Sequence, residues 1–246
     1  MIRTLLLILA WTLPGLCHAA DGHSVHLDKA RYDLSDKASL QRGARLYMNY
    51  CLGCHQMQYQ RYLRTADDLG IPHDLMEKNL VFTGAKIGDH IRNAMPVEQA
   101  AAWFGKIPPD LTLEARVRGA DWIYTYLRSF YEDESRPFGV NNEVFKDVGM
   151  PHVLQPLQGV PRKTYETRLV DGEEKQVYVG IKADGTGELS EEAYDKAVLD
   201  LVNFLVYTGE PMRPQAEQLG WKVLVFLAIF FVLAYLLKKE YWRDVH

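Results

Sequence analysis

The chain has 246 residues, of which 48% are hydrophobic and 24% charged, and a formal net charge of −4. That length holds one well-buried domain with attachments rather than two full domains, and the acidic balance argues against nucleic acid and for a basic partner. Of the three cysteines, one stands at position 17 and two share a single short motif, which leaves none for a disulfide.

Arg3 is followed by an apolar run from Leu5 to Leu13, then Pro14-Gly15 and small residues ending at Ala19-Ala20. This is the order of a secretory signal, so residues 1–20 are expected to be a signal peptide cleaved after Ala19 or Ala20. The run is too short to cross about 30 Å of hydrocarbon. A lipoprotein site at Cys17 is disfavoured by bulky Leu16 before it. Arg3 is the only charged residue among the first twenty, so the mature chain would stand at −5. The expected address is across a bacterial inner membrane.

Between Ser39 and Tyr50, the residues Leu40, Gly43, Tyr47 and Tyr50 recur at helical spacing. A glycine inside a helix costs about 1 kcal/mol against alanine, so close approach of a second helix over Gly43 is expected. The helix delivers the chain into Cys51-Leu-Gly-Cys54-His55, the attachment signal for c-type haem. Two thiols at this spacing reach the two vinyl groups of one porphyrin, and the adjacent imidazole of His55 becomes the proximal iron ligand. A structural zinc site would need a second Cys or His knuckle, and a thioredoxin-like pair would need a βαβ setting. The sequence offers neither.

Short helices are expected over 66–72 and 74–80, and another from Ile87 to Met95, with His73 and His90 at the surface. Lys106-Ile-Pro-Pro-Asp-Leu-Thr112 then predicts a long helix capped by Asp110 or Thr112. Its apolar side would carry Leu113, Val117, Ile123, Tyr124, Leu127 and Phe130. Arg116 and Arg118 sit in its second turn, and either could clamp a haem propionate. An electron-transfer iron needs a sixth ligand, which methionine or histidine supplies. Met150 leads, because it lies in a loop between Gly149 and Pro151, and His152 is its nearest rival. Met48 and Met57 crowd the haem motif, Met76 and Met95 lie on predicted helices, and Met212 is near the membrane.

Asp171-Gly172 between β-rich flanks predicts a hairpin insertion over 163–180. A second turn, Asp184 to Gly187, leads into a helix from about Ser190 to Tyr207, the partner expected to cross Gly43. After a linker, Leu219 to Leu237 would span roughly 28 Å as a helix at about 1.5 Å per residue, enough for one bilayer crossing. Lys238, Lys239 and Arg243 follow at once, which puts the C-terminus in the cytoplasm. The expected layout is therefore a signal at 1–20, a periplasmic haem domain at 21–210, a transmembrane helix at 219–237 and a cytoplasmic tail at 238–246. The fold class is mainly α: a cytochrome c-like haem domain with a small β-hairpin insertion and one C-terminal transmembrane helix.

The single haem motif, Pro108-Pro-Asp-Leu with Arg118 ten residues on, Gly149-Met150-Pro151 and the terminal apolar helix together resemble the cytochrome c1 family. The span from Gly139 to Gly159, with Asn141-Asn142, Phe145 and Met150-Pro-His-Val-Leu, looks like its bacterial form, Pro151-His152 standing where the mitochondrial pattern has alanine and two prolines. The resemblance implies that Met150 is the sixth ligand and that Arg118 contacts a propionate. It also implies one haem c held through Cys51 and Cys54, with no bond chemistry beyond the iron's redox change. As a subunit of a ubiquinol–cytochrome c oxidoreductase, the chain would take electrons from a Rieske iron–sulfur protein and pass them to a c-type cytochrome. Cytochrome b would be its membrane neighbour in a dimeric complex. The acidic segments 132–134 and 188–192 could steer a basic acceptor.

Overall fold

A computed structural model describes residues 25–170 and 173–244. The expected signal peptide and the Asp171-Gly172 turn lie outside the described residues.

Helix α1 (Lys37–Leu46) starts on Asp36, whose carboxylate accepts from the Ser39 N–H at 2.9 Å. It runs into a π-helical turn, Tyr47–Cys51, closed by the Leu52 N–H on the Tyr47 carbonyl at 2.9 Å. Such wider turns are concentrated at functional sites, and this one hands over the first cysteine of the haem motif. The chain then forms β1 (Met57–Arg61), α2 (Tyr62–Leu69), α3 (His73–Leu80), β2 (His90–Ile91) and α4 (Val97–Phe104). The helix expected over Ile87–Met95 is not there. Ile91 instead pairs with Met57 across an antiparallel ribbon, and both side chains are fully buried. Pro96 also drives the residue before it out of the helical region. His73 is exposed and bonds Asp67 at 2.7 Å, whereas His90 is half-buried on β2.

The single long helix expected after Lys106 is two helices, α5 (Glu114–Arg118) and α6 (Ala120–Arg128). Between them Gly119 takes φ +88°, which only glycine adopts readily. Neither Asp110 nor Thr112 caps the start. The Asp110 carboxylate accepts from the Thr112 N–H at 2.9 Å and from the Gln58 N–H at 2.8 Å, so it is used in a turn and in holding β1. Leu113 and Val117, expected on the apolar side, are exposed.

A second ribbon, β3 (Phe130–Glu132) with β4 (Val140–Asn142), precedes the loop through Met150 and the short helix α7 (Gln155–Gln158). The hairpin is present: β5 (Pro161–Val170) pairs antiparallel with β6 (Glu173–Ala183) from Pro161↔Ala183 to Val170↔Glu173. It projects outside the core and is tied down at its base. Arg162 pairs with Glu132 at 2.8 Å, Lys163 Nζ sits 3.9 Å from the centre of the Tyr131 ring, and the Tyr178 hydroxyl bonds Glu143.

Helix α8 (Glu191–Gly209) starts on Ser190, whose Oγ accepts from the Ala193 N–H. Its crossing with α1 is the centre of the fold, and Gly43 makes it possible: a Cβ there would lie 2.0 Å from the Asp200 carbonyl oxygen. A polar cluster, buried at Ser39 and Asp200 and open to water at Arg42, fixes the register of the two helices. The Asp200 carboxylate accepts from Ser39 Oγ at 2.6 Å and from Arg42 Nε and Nη2 at 2.6 and 2.9 Å. Tyr47, Phe204, Leu201 and Val202 fill the space around it. The final helix α9 (Arg213–Tyr241) has 29 residues and a mean hydropathy of 2.3 over its most apolar window, none of it buried. It is long and apolar enough to cross a bilayer, and extends beyond the predicted 219–237 at both ends.

Candidate haem site

One cavity of about 300 Å³ opens between α6, α8, the proline segment 107–109 and the loop ending at Met150. Cys51, Cys54, His55, Arg118 and Met150, the five residues singled out from sequence, all line it. The motif is wound tightly: Cys54 and His55 both donate their N–H groups to the Cys51 carbonyl, at 3.0 and 2.8 Å. Burial pushes the Cys51 thiol up to about 12. That is the opposite of the depressed pKa of a reactive redox pair.

His55 is held from behind. Its Nδ1 lies 2.8 Å from the Pro109 carbonyl oxygen. A carbonyl only accepts, so Nδ1 carries the proton and donates it, leaving the Nε2 lone pair for a metal. Burial lowers the imidazole pKa and keeps the ring neutral, the form that can ligate. Tyr47 donates its hydroxyl to the His55 carbonyl at 2.7 Å, and the Leu111 N–H bonds the Gln56 carbonyl at 2.9 Å. The Pro-Pro-Asp segment therefore does not open a helix but crosses behind the imidazole and locks it.

Met150 is the one methionine lining the cavity among the described residues. Met48, Met57 and Met76 are core side chains, and Met212 Sδ accepts from Arg64. The Met150 sulfur accepts a hydrogen bond from the Tyr126 hydroxyl at 3.3 Å. His152, the rival, is turned away: its Nε2 bonds the Gln158 side chain at 2.7 Å and its ring stacks on Phe130 at 4.8 Å. Of the two candidate arginines, Arg118 is at the cavity, with its guanidinium 4.4 Å from the centre of the Trp122 ring and bonded to Glu114 at 2.9 Å. Arg116 is paired with Glu210 elsewhere.

Trp122 and Tyr126 escaped the sequence reading. They stack at 4.9 Å and both line the cavity. Arg118, Trp122 and Tyr126 recur every four residues, a stripe that is visible once the apolar face is centred on them instead of on Leu113 and Val117.

The donor set fits a haem: two thiols, a neutral imidazole with a free lone pair and a thioether surround an otherwise mostly apolar space. The model of the cytochrome C1 family matches residues 28–245. The chain belongs to the cytochrome c1 family. It is 51% identical to cytochrome c1 of Allochromatium vinosum over the whole of both chains. It is 46% identical to a Nitrosomonas europaea protein named ammonia monooxygenase gamma subunit, over all of this chain and 99% of that one. The mitochondrial cytochrome c1 haem protein of Neurospora crassa is 27% identical over 84% of this chain and 62% of its own length. Cytochrome c1 carries a covalently attached c-type haem and is the membrane-anchored haem subunit of the bc1 complex. In this chain Cys51-Leu-Gly-Cys54-His55 is the attachment sequence.

Proposed function

We propose that this chain accepts one electron at a time from a Rieske iron–sulfur protein and passes it to a c-type cytochrome, within a dimeric complex that also contains cytochrome b. Thioethers to Cys51 and Cys54 would hold the haem, His55 and Met150 would ligate its iron, and Arg118 would be the partner of a propionate. When bound, it supplies a one-electron ferrous/ferric couple. The protein's part is to hold both ligand side chains and exclude exchangeable ones. The haem domain faces the periplasm and α9 carries the chain through the inner membrane to a cytoplasmic C-terminus, in line with Lys238, Lys239 and Arg243 beyond the apolar run.

The observation that carries this reading is that His55, with Nδ1 committed to Pro109, and Met150, with its sulfur held by Tyr126, line the same cavity. An open-site haem enzyme would instead leave one face without a strong ligand. Replacing Met150 by leucine tests it: loss of the low-spin spectrum, a fall in midpoint potential and carbon monoxide binding to the ferrous form are expected. An unchanged spectrum and potential would refute the ligand assignment. The relative named as an ammonia monooxygenase subunit favours a second reading, in which the chain serves a monooxygenase. Purification from membranes with subunit identification separates the two, since cytochrome b and the Rieske protein accompany the chain only in the first.

A further inference from the structure

Asn141 and Asn142 stand on β4 and do not line the cavity. Asn142 is nevertheless 1% exposed, and both polar atoms of its side chain are engaged. Its Oδ1 accepts from the N–H groups of Val144 and Phe145, at 2.9 and 3.1 Å, and from Ser129 Oγ at 3.2 Å. Its Nδ2 donates to the Tyr126 carbonyl at 2.8 Å.

Asn141 continues the pattern. Its Oδ1 accepts from the N–H groups of Asn142 and Asp147, both at 2.9 Å, and its Nδ2 donates to Asp133 at 3.0 Å. Residues 143–150 have no sheet or helix to satisfy their backbone, so these two amides stand in for a ladder. Asp147 holds φ +60°, an uncommon conformation for a residue with a side chain. It is held there by Asn141, by Arg136 Nη2 on its carbonyl at 3.0 Å and by Arg136 Nη1 on its carboxylate at 3.2 Å. Three residues later the chain reaches Met150.

Asn142 therefore grips two things with one amide group. One is the start of the loop that delivers Met150. The other is the C-terminal end of α6 at Tyr126, whose hydroxyl bonds the Met150 sulfur. We propose that Asn142 is a positioning residue for the sixth iron ligand, coupling the Met150 loop to Tyr126 so that the thioether stays aimed into the cavity. The inference rests on Met150 being that ligand. A buried amide with this many partners is costly to strip: each donor or acceptor left stranded away from water incurs its desolvation penalty, and relief comes as the loop, with its sulfur, moves away from α6 toward water.

The test uses the full-length haem-loaded protein in its native membranes. The readouts are the far-red sulfur-to-ferric-iron absorption band, the midpoint potential and carbon monoxide binding to the ferrous form, for wild type, Asn142→Leu, Asn142→Asp and Met150→Leu. Leucine keeps the branched shape and heavy-atom count of Asn142, is somewhat bulkier, and makes none of its hydrogen bonds. That variant is expected to weaken the band, bind carbon monoxide where wild type does not, and shift the couple about tenfold toward the ferric form, which is about 59 mV for one electron. Aspartate keeps the acceptor half and loses the donor to Tyr126. It is expected to fall between wild type and leucine on all three readouts, and it serves as the test if the leucine variant does not accumulate. Either Asn142 variant matching wild type on all three, while Met150→Leu does not, overturns the inference and leaves the ligand reading standing. If Met150→Leu also matches wild type, the ligand reading falls and the inference with it.

Discussion

Gly43→Ala puts the α1–α8 crossing under a measurable load. The added methyl would sit 2.0 Å from the Asp200 carbonyl oxygen and 2.8 Å from both the Asp200 carbonyl carbon and Phe204 Cβ. Two of these atoms belong to backbone inside a helix, so no rotamer change clears them, and α1 must move away from α8. Overpacking of this kind costs about 3 kcal/mol, while alanine recovers about 1 kcal/mol of helix propensity. The net loss of about 2 kcal/mol would lower Tm by about 4–8 °C for a domain of this size. The same shift loosens Tyr47, which lies one helical turn on and donates to the His55 carbonyl. Thermal unfolding of the detergent-solubilised haem protein, followed by Soret circular dichroism, reads both effects. A variant that melts with wild type would refute the claim that backbone contact at Gly43 sets the helix spacing.

Asp200→Ala removes the acceptor shared by Ser39 and Arg42 inside the same crossing. A loss of about 1–3 kcal/mol in denaturant unfolding is expected, smaller than for a fully buried pair because Arg42 can turn to water. Gly119→Ala forces a side chain into φ +88° between α5 and α6. It should cost about 1–2 kcal/mol and perturb the Arg118 and Trp122 stack, visible as a changed near-ultraviolet dichroism of the folded protein. Replacing the outer hairpin from Tyr165 to Tyr178 by a two-glycine turn removes strands that, among the described residues, contribute nothing to either buried core cluster. The low-spin haem spectrum should survive unchanged, and its loss would mean that the hairpin helps to build the site.

How far the sequence could be read depended on whether a residue's role was local. The haem motif, the Ser190 cap and the apolar run of α9 are each written in consecutive or periodic residues, and the structure has them where they were expected. Gly43 was legible because an interior glycine has an energetic cost that something must offset. Failures came where a long-range contact overrode a local pattern. Ile87–Met95 looks helical until Met57 supplies a cross-strand partner for Ile91. Asp110 and Thr112 look like caps until Gln58 claims the carboxylate. Gly119 does not look like a break in the sequence because its neighbours on both sides favour helix, and only the positive φ reveals it. The work of Asn141 and Asn142 was invisible for a related reason: nothing in a pair of asparagines says which backbone groups lie within reach.

Only Glu210, Pro211 and Met212 separate α8 from α9, and the junction is bolted: Arg213 donates to the Tyr32 hydroxyl at 2.9 Å, and Glu210 is paired with Arg116. The folded head thus stands on its stalk like a fixed lamp rather than a tethered float. With three residues of slack it has no leash on which to roam, so any redox partner farther off than direct contact must do the travelling itself.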